Sequence, residues 1–213
     1  MKIILSAVEG PLADAWQEHC GDISNVFIHR GSILDLEVDA IVSPANSFGF
    51  MDGGIDHAYS QYFGWHVQER LQKLIREKHH GELLVGAAEV VETDDKQIPF
   101  LIAAPTMRVP MVLENTVHPY LAARAVLLLV KYGGFSIGTL EGVSLSTKIS
   151  SVAFSGLGTG IGRVGFHTCA HQVRAAIEHI VLENNDFPAT WADASIRHQK
   201  LYTEYTRNLQ HPE

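Results

Sequence analysis

Residues 38–57 read Val38-Asp39-Ala40-Ile41-Val42-Ser43-Pro44-Ala45-Asn46-Ser47-Phe48-Gly49-Phe50-Met51-Asp52-Gly53-Gly54-Ile55-Asp56-His57, an apolar run that passes directly into a polar, glycine-bearing loop. Val38, Ala40, Ile41 and Val42 suit a strand buried on both faces. Pro44 bars that strand from continuing, so Asn46 is delivered to its carboxyl end. Gly53 and Gly54 let a backbone come close to a ligand, and from Ile55 to Ser60 a helix begins whose free amides face the same space. Each piece also has a plainer reading: Asn46 as a turn former, Gly-Gly as a tight loop, Asp56 as a helix N-cap.

A second stretch shifts the balance. Ser155-Gly156-Leu157-Gly158-Thr159-Gly160-Ile161-Gly162-Arg163-Val164-Gly165 follows the apolar run 152–154 and precedes a helical pattern over 167–182. Strand, glycine loop and helix in that order make a phosphate cradle, because successive unencumbered amides converge on one anion and the helix adds its positive end.

With both loops in view the sequence resembles the macrodomain family, the ADP-ribose-binding α/β/α module. The match lies in Gly31-Ser32-Ile33, Val38 to Val42, Ala45-Asn46, Gly53-Gly54-Ile55-Asp56 and Gly156 to Gly162, and it covers about residues 25 to 183. The resemblance implies a three-layer α/β/α fold, a mixed sheet flanked by helices. It further implies that Asn46 holds a distal ribose hydroxyl while Asp56 orients or deprotonates a water attacking the anomeric carbon. Gly53, Gly54 and Ile55 would close over the ribose, Ala45 would also contact the ligand, and the loop Gly156, Gly158, Thr159, Gly160, Ile161 and Gly162 would hold the diphosphate. The implied activity is mono-ADP-ribosyl glycohydrolysis, with a non-catalytic ADP-ribose-binding module as the alternative; the implied partner is ADP-ribose or an ADP-ribosylated macromolecule.

Three departures from the family pattern stand out. Where macrodomains usually read Gly-Asp-Ile, with the aspartate accepting a bond from the adenine amino group, this chain has Ser32 before Ile33, and an uncharged hydroxyl is the weaker acceptor. The earlier Gly21-Asp22-Ile23 is a decoy, ten residues too far from the strand. His57 follows the aspartate where a small residue is common, leaving an added acid, a steric gate and simple packing all open. Gly162 stands where hydrolytic members often carry an aromatic ring. Arg108, in the proline-bracketed loop 105–110, either meets a phosphate or carboxylate near the ligand or is a surface arginine.

The 213 residues suit one domain, read as a body over 1–185 with a helical extension over 186–213 packed on it. In that extension Trp191, Ile196, Leu201 and Tyr205 are expected to pack back, and residues 209–213 to fray. Sixteen basic against twenty-four acidic side chains give a net charge of −8, which argues against broad binding to nucleic acid or an anionic membrane. Apolar content of 46% with no long apolar run fits an ordinary globular chain. The opening apolar run is cut by Glu9-Gly10-Pro11, so it reads as a first strand rather than a signal peptide, and a cytoplasmic location is expected.

Other constellations are weaker. Gly160, Gly162 and Gly165 fit a dinucleotide fingerprint, but too late in the chain and without the following strand. His167 and His171 have metal-ligand spacing without the rest of a zinc signature, and Cys20 and Cys169 lack any paired spacing, so no metal or cofactor is expected. Coarser expectations are a helix over 11–20, a strand over 25–29, a helical region 55–80 broken at Gly64, strands over 87–91 and 98–104 joined by a solvated acidic turn, a buried helix over 114–131, and a surface connection over 133–148.

Overall fold

The computed structural model describes residues 1–208; the expectation for residues 209–213 lies outside them. Six strands form one sheet: β1 (Lys2–Ala7), β2 (Val26–Arg30), β3 (Ala40–Ser43), β4 (Glu89–Glu92), β5 (Phe100–Ala103) and β6 (Ser151–Phe154). Their spatial order is β2-β1-β6-β3-β5-β4. All neighbours are parallel except β4, which pairs antiparallel with β5 at the edge. The chain winds from β1 to one side and from β3 to the other, and β6 is inserted last between them. That is the switch point at which open α/β sheets bind ligands, outside the carboxyl ends of the strands.

The helices are α1 (Gly10–Cys20), α2 (Gly54–Phe63), α3 (His66–Lys78), α4 (His118–Tyr132), α5 (Phe166–Ile180) and α6 (Trp191–Lys200). Alternate strand residues face opposite layers although the strands read as unbroken apolar runs, as a sheet covered on both faces requires. Ile3, Leu5, Ala40, Val42, Val152 and Phe154 pack with α1, α4 and α5. Ile4, Ile41, Leu101 and Ala153 pack with α2 and α3. The sheet is therefore the middle of three layers.

Local chemistry accounts for the boundaries. Gly64 adopts φ +99° between α2 and α3 and so breaks the helical region where expected. Pro119 at the first turn of α4 sets that helix's start, four residues later than the sequence pattern suggested. The connection 133–148 is less superficial than expected, because Phe135 and Leu145 drop into the core. The acidic turn is not wholly solvated either: Thr93 is buried, its hydroxyl donating to the Ile98 carbonyl, while Asp94 is exposed and bound by Arg70 at 2.7 Å. Asp22 of the decoy motif is taken up by Arg174.

Register between β3 and β6 extends over only two residues, Ala40 with Val152 and Ile41 with Ala153. At the amino ends the Asp39 carboxylate locks the pair, accepting from the amides and hydroxyls of Ser150 and Ser151 at 2.7–2.9 Å. Burial works against its charge, but those four donors prevail and hold its pKa below the usual carboxylate value.

The extension departs from expectation. Trp191, Ile196 and Tyr205 are exposed and Leu201 only half-buried, whereas Gln199 is the buried residue of α6, bonding the backbone of Arg207. No helix among the described residues is long and apolar enough to cross a membrane.

Candidate functional site

A cleft of about 490 Å³ runs across the carboxyl ends of β2, β1, β6 and β3, within the size range of small-ligand pockets. Gly31, Ser32 and Ile33 line one end, Ser155, Gly156 and Gly158 to Gly162 the middle, and Ala45, Asn46 and Gly53 to Asp56 the other. Both loops singled out in the sequence therefore meet in one space.

At the first end the Ser6 hydroxyl donates to the Gly31 carbonyl at 3.0 Å, tying β1 to the β2 terminus. Ser32 caps a short 3-10 turn over Ile33–Asp35, its Oγ accepting from the Leu34 amide at 3.2 Å. One lone pair and the hydroxyl proton remain for a ligand.

The middle is built from backbone. No amide from Gly158 to Gly162 donates to a protein acceptor among the described residues, so five successive N–H groups are available to an anion. The loop nevertheless has a fixed shape: Gly158 lies at φ +70°, its carbonyl accepts from the Val164 amide at 3.1 Å, and Gly162 accepts from the Leu113 amide at 2.7 Å. A Cβ on Gly162 would stand 2.5 Å from the Gly158 carbonyl oxygen, which explains why no ring occupies that position. The helix α5 follows at once, capped by the Gly165 backbone without a side chain.

At the third end Asn46 does two things. It lines the cleft, and its side chain also shapes its own loop: Oδ1 accepts from the amides of Phe48 and Phe50, and Nδ2 donates to the Phe50 carbonyl at 2.8 Å. The turn-forming reading thus holds together with the cleft-lining one. Phe50, half-exposed, is presented on the cleft by this arrangement.

Asp56 is not an N-cap. Gly53 caps α2 with its backbone alone, and the Asp56 carboxyl, 7% exposed, lies in the cleft wall. Burial disfavours its charge and pushes its pKa up to about 7, while the Ser43 hydroxyl, donating to Oδ1 at 2.6 Å, pulls in the opposite direction. Tyr59, one turn on, is wholly buried and donates to the Val42 carbonyl at 3.2 Å; burial and the Asp56 carboxylate both raise its phenol pKa, keeping it neutral.

Two anticipated residues fall outside the cleft lining. His57, beside Asp56 in sequence, turns outward and lies 6.1 Å from the Trp65 ring, because successive helix residues point about 100° apart. Arg108 is exposed and bound to Glu82 at 2.6 Å, with its guanidinium over the Phe48 ring, so it braces the Asn46 loop from outside.

Four residues escaped the sequence reading: Ser43, Phe50, Tyr59 and Ser155. Ser155 is 7% exposed and lines the cleft; its hydroxyl makes no hydrogen bond within 3.5 Å, but it lies close enough to the Tyr59 hydroxyl to oppose the rise in that phenol's pKa. Its place directly before the glycine loop was visible, but its approach to Tyr59 was not.

Neither cysteine is reactive: Cys20 and Cys169 are buried, and burial pushes both thiols up to about 12.

Comparison with known proteins agrees with this geometry. The family model described as Macro domain matches residues 42–173. An uncharacterized protein of Aquifex aeolicus is 30% identical over 156 residues, covering 73% of this chain and 81% of that one. A second, from Aeropyrum pernix, is 26% identical over 151 residues, 70% of this chain and 68% of its own. Among solved structures, the Oceanobacillus iheyensis macrodomain with ADP superposes with a TM-score of 0.57 at 22% identity, over 80% of this chain and 86% of that one. The macrodomain of Mycobacterium tuberculosis DarG superposes with a TM-score of 0.55 at 19% identity, over 70% and 87%. At these identities the structural likeness establishes the fold.

Proposed function

This chain belongs to the Macro domain family, and on that premise we propose that its cleft binds ADP-ribose and hydrolyses the bond joining the distal ribose to a modified target. A solved macrodomain of Oceanobacillus iheyensis carries ADP-ribose, and the cleft here offers what each part of such a ligand needs. Ser32 and Ile33 meet the adenine. The free amides of Gly158 to Gly162 hold the diphosphate, which a chain of net charge −8 must bind by local dipoles rather than by overall attraction. The Asn46 loop, with Phe50 and the glycines before α2, encloses the distal ribose.

One observation carries the hydrolytic reading: Asp56 is a buried carboxyl in the cleft wall whose pKa is lifted to about 7. A base with that pKa is substantially ionised at neutral pH and still holds a proton well enough to pass it on, the condition for efficient proton transfer. Asp56 takes a proton from water as the water oxygen bonds to the anomeric carbon. The bond from that carbon to the carrier breaks, and the departing group takes up a proton. The carboxylate also stabilises the positive charge that develops on the sugar ring. Asn46 holds the loop and turns its second Nδ2 hydrogen to a ribose hydroxyl.

A binding module without turnover is the second reading. The engagement of the Asn46 amide within its own loop and the absence of room for a ring at Gly162 favour it. Calorimetry with ADP-ribose, AMP and NAD tests recognition. Release of ADP-ribose from acidic, arginine, serine and nucleic-acid linkages tests turnover. The hydrolase predicts release that Asp56→Ala abolishes while affinity stays within about tenfold. Tight binding without release from any linkage leaves the binding module.

A further inference from the structure

The spacing of His167 and His171 on α5 lacked a third partner in the sequence; the fold supplies it from α1. His19 Nε2 lies 3.3 Å from His167 Nδ1, and Glu18 Oε2 lies 3.7 Å from the same nitrogen. One donor atom from each of Glu18, His19 and His167 falls within 4.8 Å of the others, and the His171 ring centroid is 6.0 Å from that of His19. We propose that Glu18, His19 and His167 form a site for a borderline divalent cation such as Zn²⁺ on the α1–α5 pair.

The geometry and the donor chemistry agree. Two nitrogens bound to tetrahedral zinc at about 2.0–2.1 Å stand about 3.3 Å apart, the separation already present between His19 and His167. Without an ion, a single proton bridges that pair, one imidazole donating and the other accepting; a cation would take that proton's place and receive a lone pair from each nitrogen and from the carboxylate. Two imidazoles with one carboxylate select Zn²⁺, Ni²⁺ or Cu²⁺ over Mg²⁺ and Ca²⁺, which prefer all-oxygen shells. Arg174, which also donates to the His19 carbonyl, does not compete for the site: its guanidinium is held by Asp22 and Glu178. Glu18 and His167 are exposed, leaving a path for the ion and a coordination position for water. Cys20 and Cys169 are buried and take no part.

The site is tested by calorimetric titration of the tag-free full chain with Zn²⁺ and, separately, Mg²⁺. His19→Ala, His167→Ala and the control His66→Ala, on α3 across the sheet, are titrated alongside. The expected result is one Zn²⁺ per chain with a dissociation constant below about 100 μM, weakened at least about tenfold by either α1–α5 variant, unaltered by the control, and no saturable Mg²⁺ binding. Weaker wild-type binding, a loss below about tenfold in both histidine variants, or equal preference for Mg²⁺ overturns the proposal. Should a histidine variant fail to fold, Glu18→Gln changes a single exposed carboxylate and is judged by the same tenfold criterion.

Discussion

Replacing Asp56 by Asn should make the protein gain stability relative to the wild type as the pH rises. The folded-state pKa of Asp56 is about 7 against 3.8 for a free side chain, so between those values the folded chain keeps a proton that the unfolded chain has released. Stability then falls with increasing pH in that interval, because the native state binds more protons than the denatured one. About three units at roughly 1.4 kcal/mol each amount to about 4 kcal/mol, fully lost once the pH exceeds 7. The asparagine variant does not titrate. Its oxygen still accepts from Ser43, while its unsatisfied amide hydrogens cost a constant 1–3 kcal/mol or so at every pH. The measurement is the free energy of urea unfolding of both proteins from pH 4.5 to 8, taken as a difference so that other titrating groups cancel. The variant should gain on the wild type steadily, by about 3–4 kcal/mol over the range, with the curve flattening above pH 7. A difference independent of pH would refute the claim that this carboxyl is held in a desolvated site, and with it the reason for regarding it as a tuned base. The same ionisation should govern turnover, with the rate rising toward pH 7 and levelling above it.

Gly162→Ala should distort the phosphate loop, since its methyl would stand 2.5 Å from the Gly158 carbonyl; loss of ADP-ribose affinity by tenfold or so, read by calorimetry, is expected, with an unfolding free energy lower by about 1–3 kcal/mol. Ser155→Ala removes a buried hydroxyl that makes no hydrogen bond within 3.5 Å and only a looser contact with the Tyr59 hydroxyl, so the free protein should stay within about 1 kcal/mol of the wild type in urea titrations, while calorimetry should show weaker ADP-ribose binding.

What could be read from the sequence was whatever local chemistry dictates. The strand that Pro44 stops, the glycine loop before α5 and the break at Gly64 follow from steric rules acting within a few residues, and they place the two halves of the cleft. What could not be read needed distant parts of the chain to meet. Ser43 donating to Asp56, Arg108 bound to Glu82, and His19 facing His167 across 148 positions are consequences of packing. The extension failed for a different reason. Trp191, Ile196 and Leu201 recur every five residues, which scatters them around a helix of 3.6 residues per turn instead of lining one side, and only Gln199 of α6 is buried.

The brief partnership of β3 and β6 also has a mechanical meaning. Fastened at the Asp39 end and unzipped after two pairs, the two strands part like the blades of shears around a rivet. Into the opening come Tyr59, reaching for Val42, and Asp56, gripped by Ser43, with Ser155 on the opposite blade. The wedge itself, rather than either loop, keeps an acidic group dry beside an open cavity. Loosening the rivet should therefore be felt at the far tips, in the ionisation of Asp56.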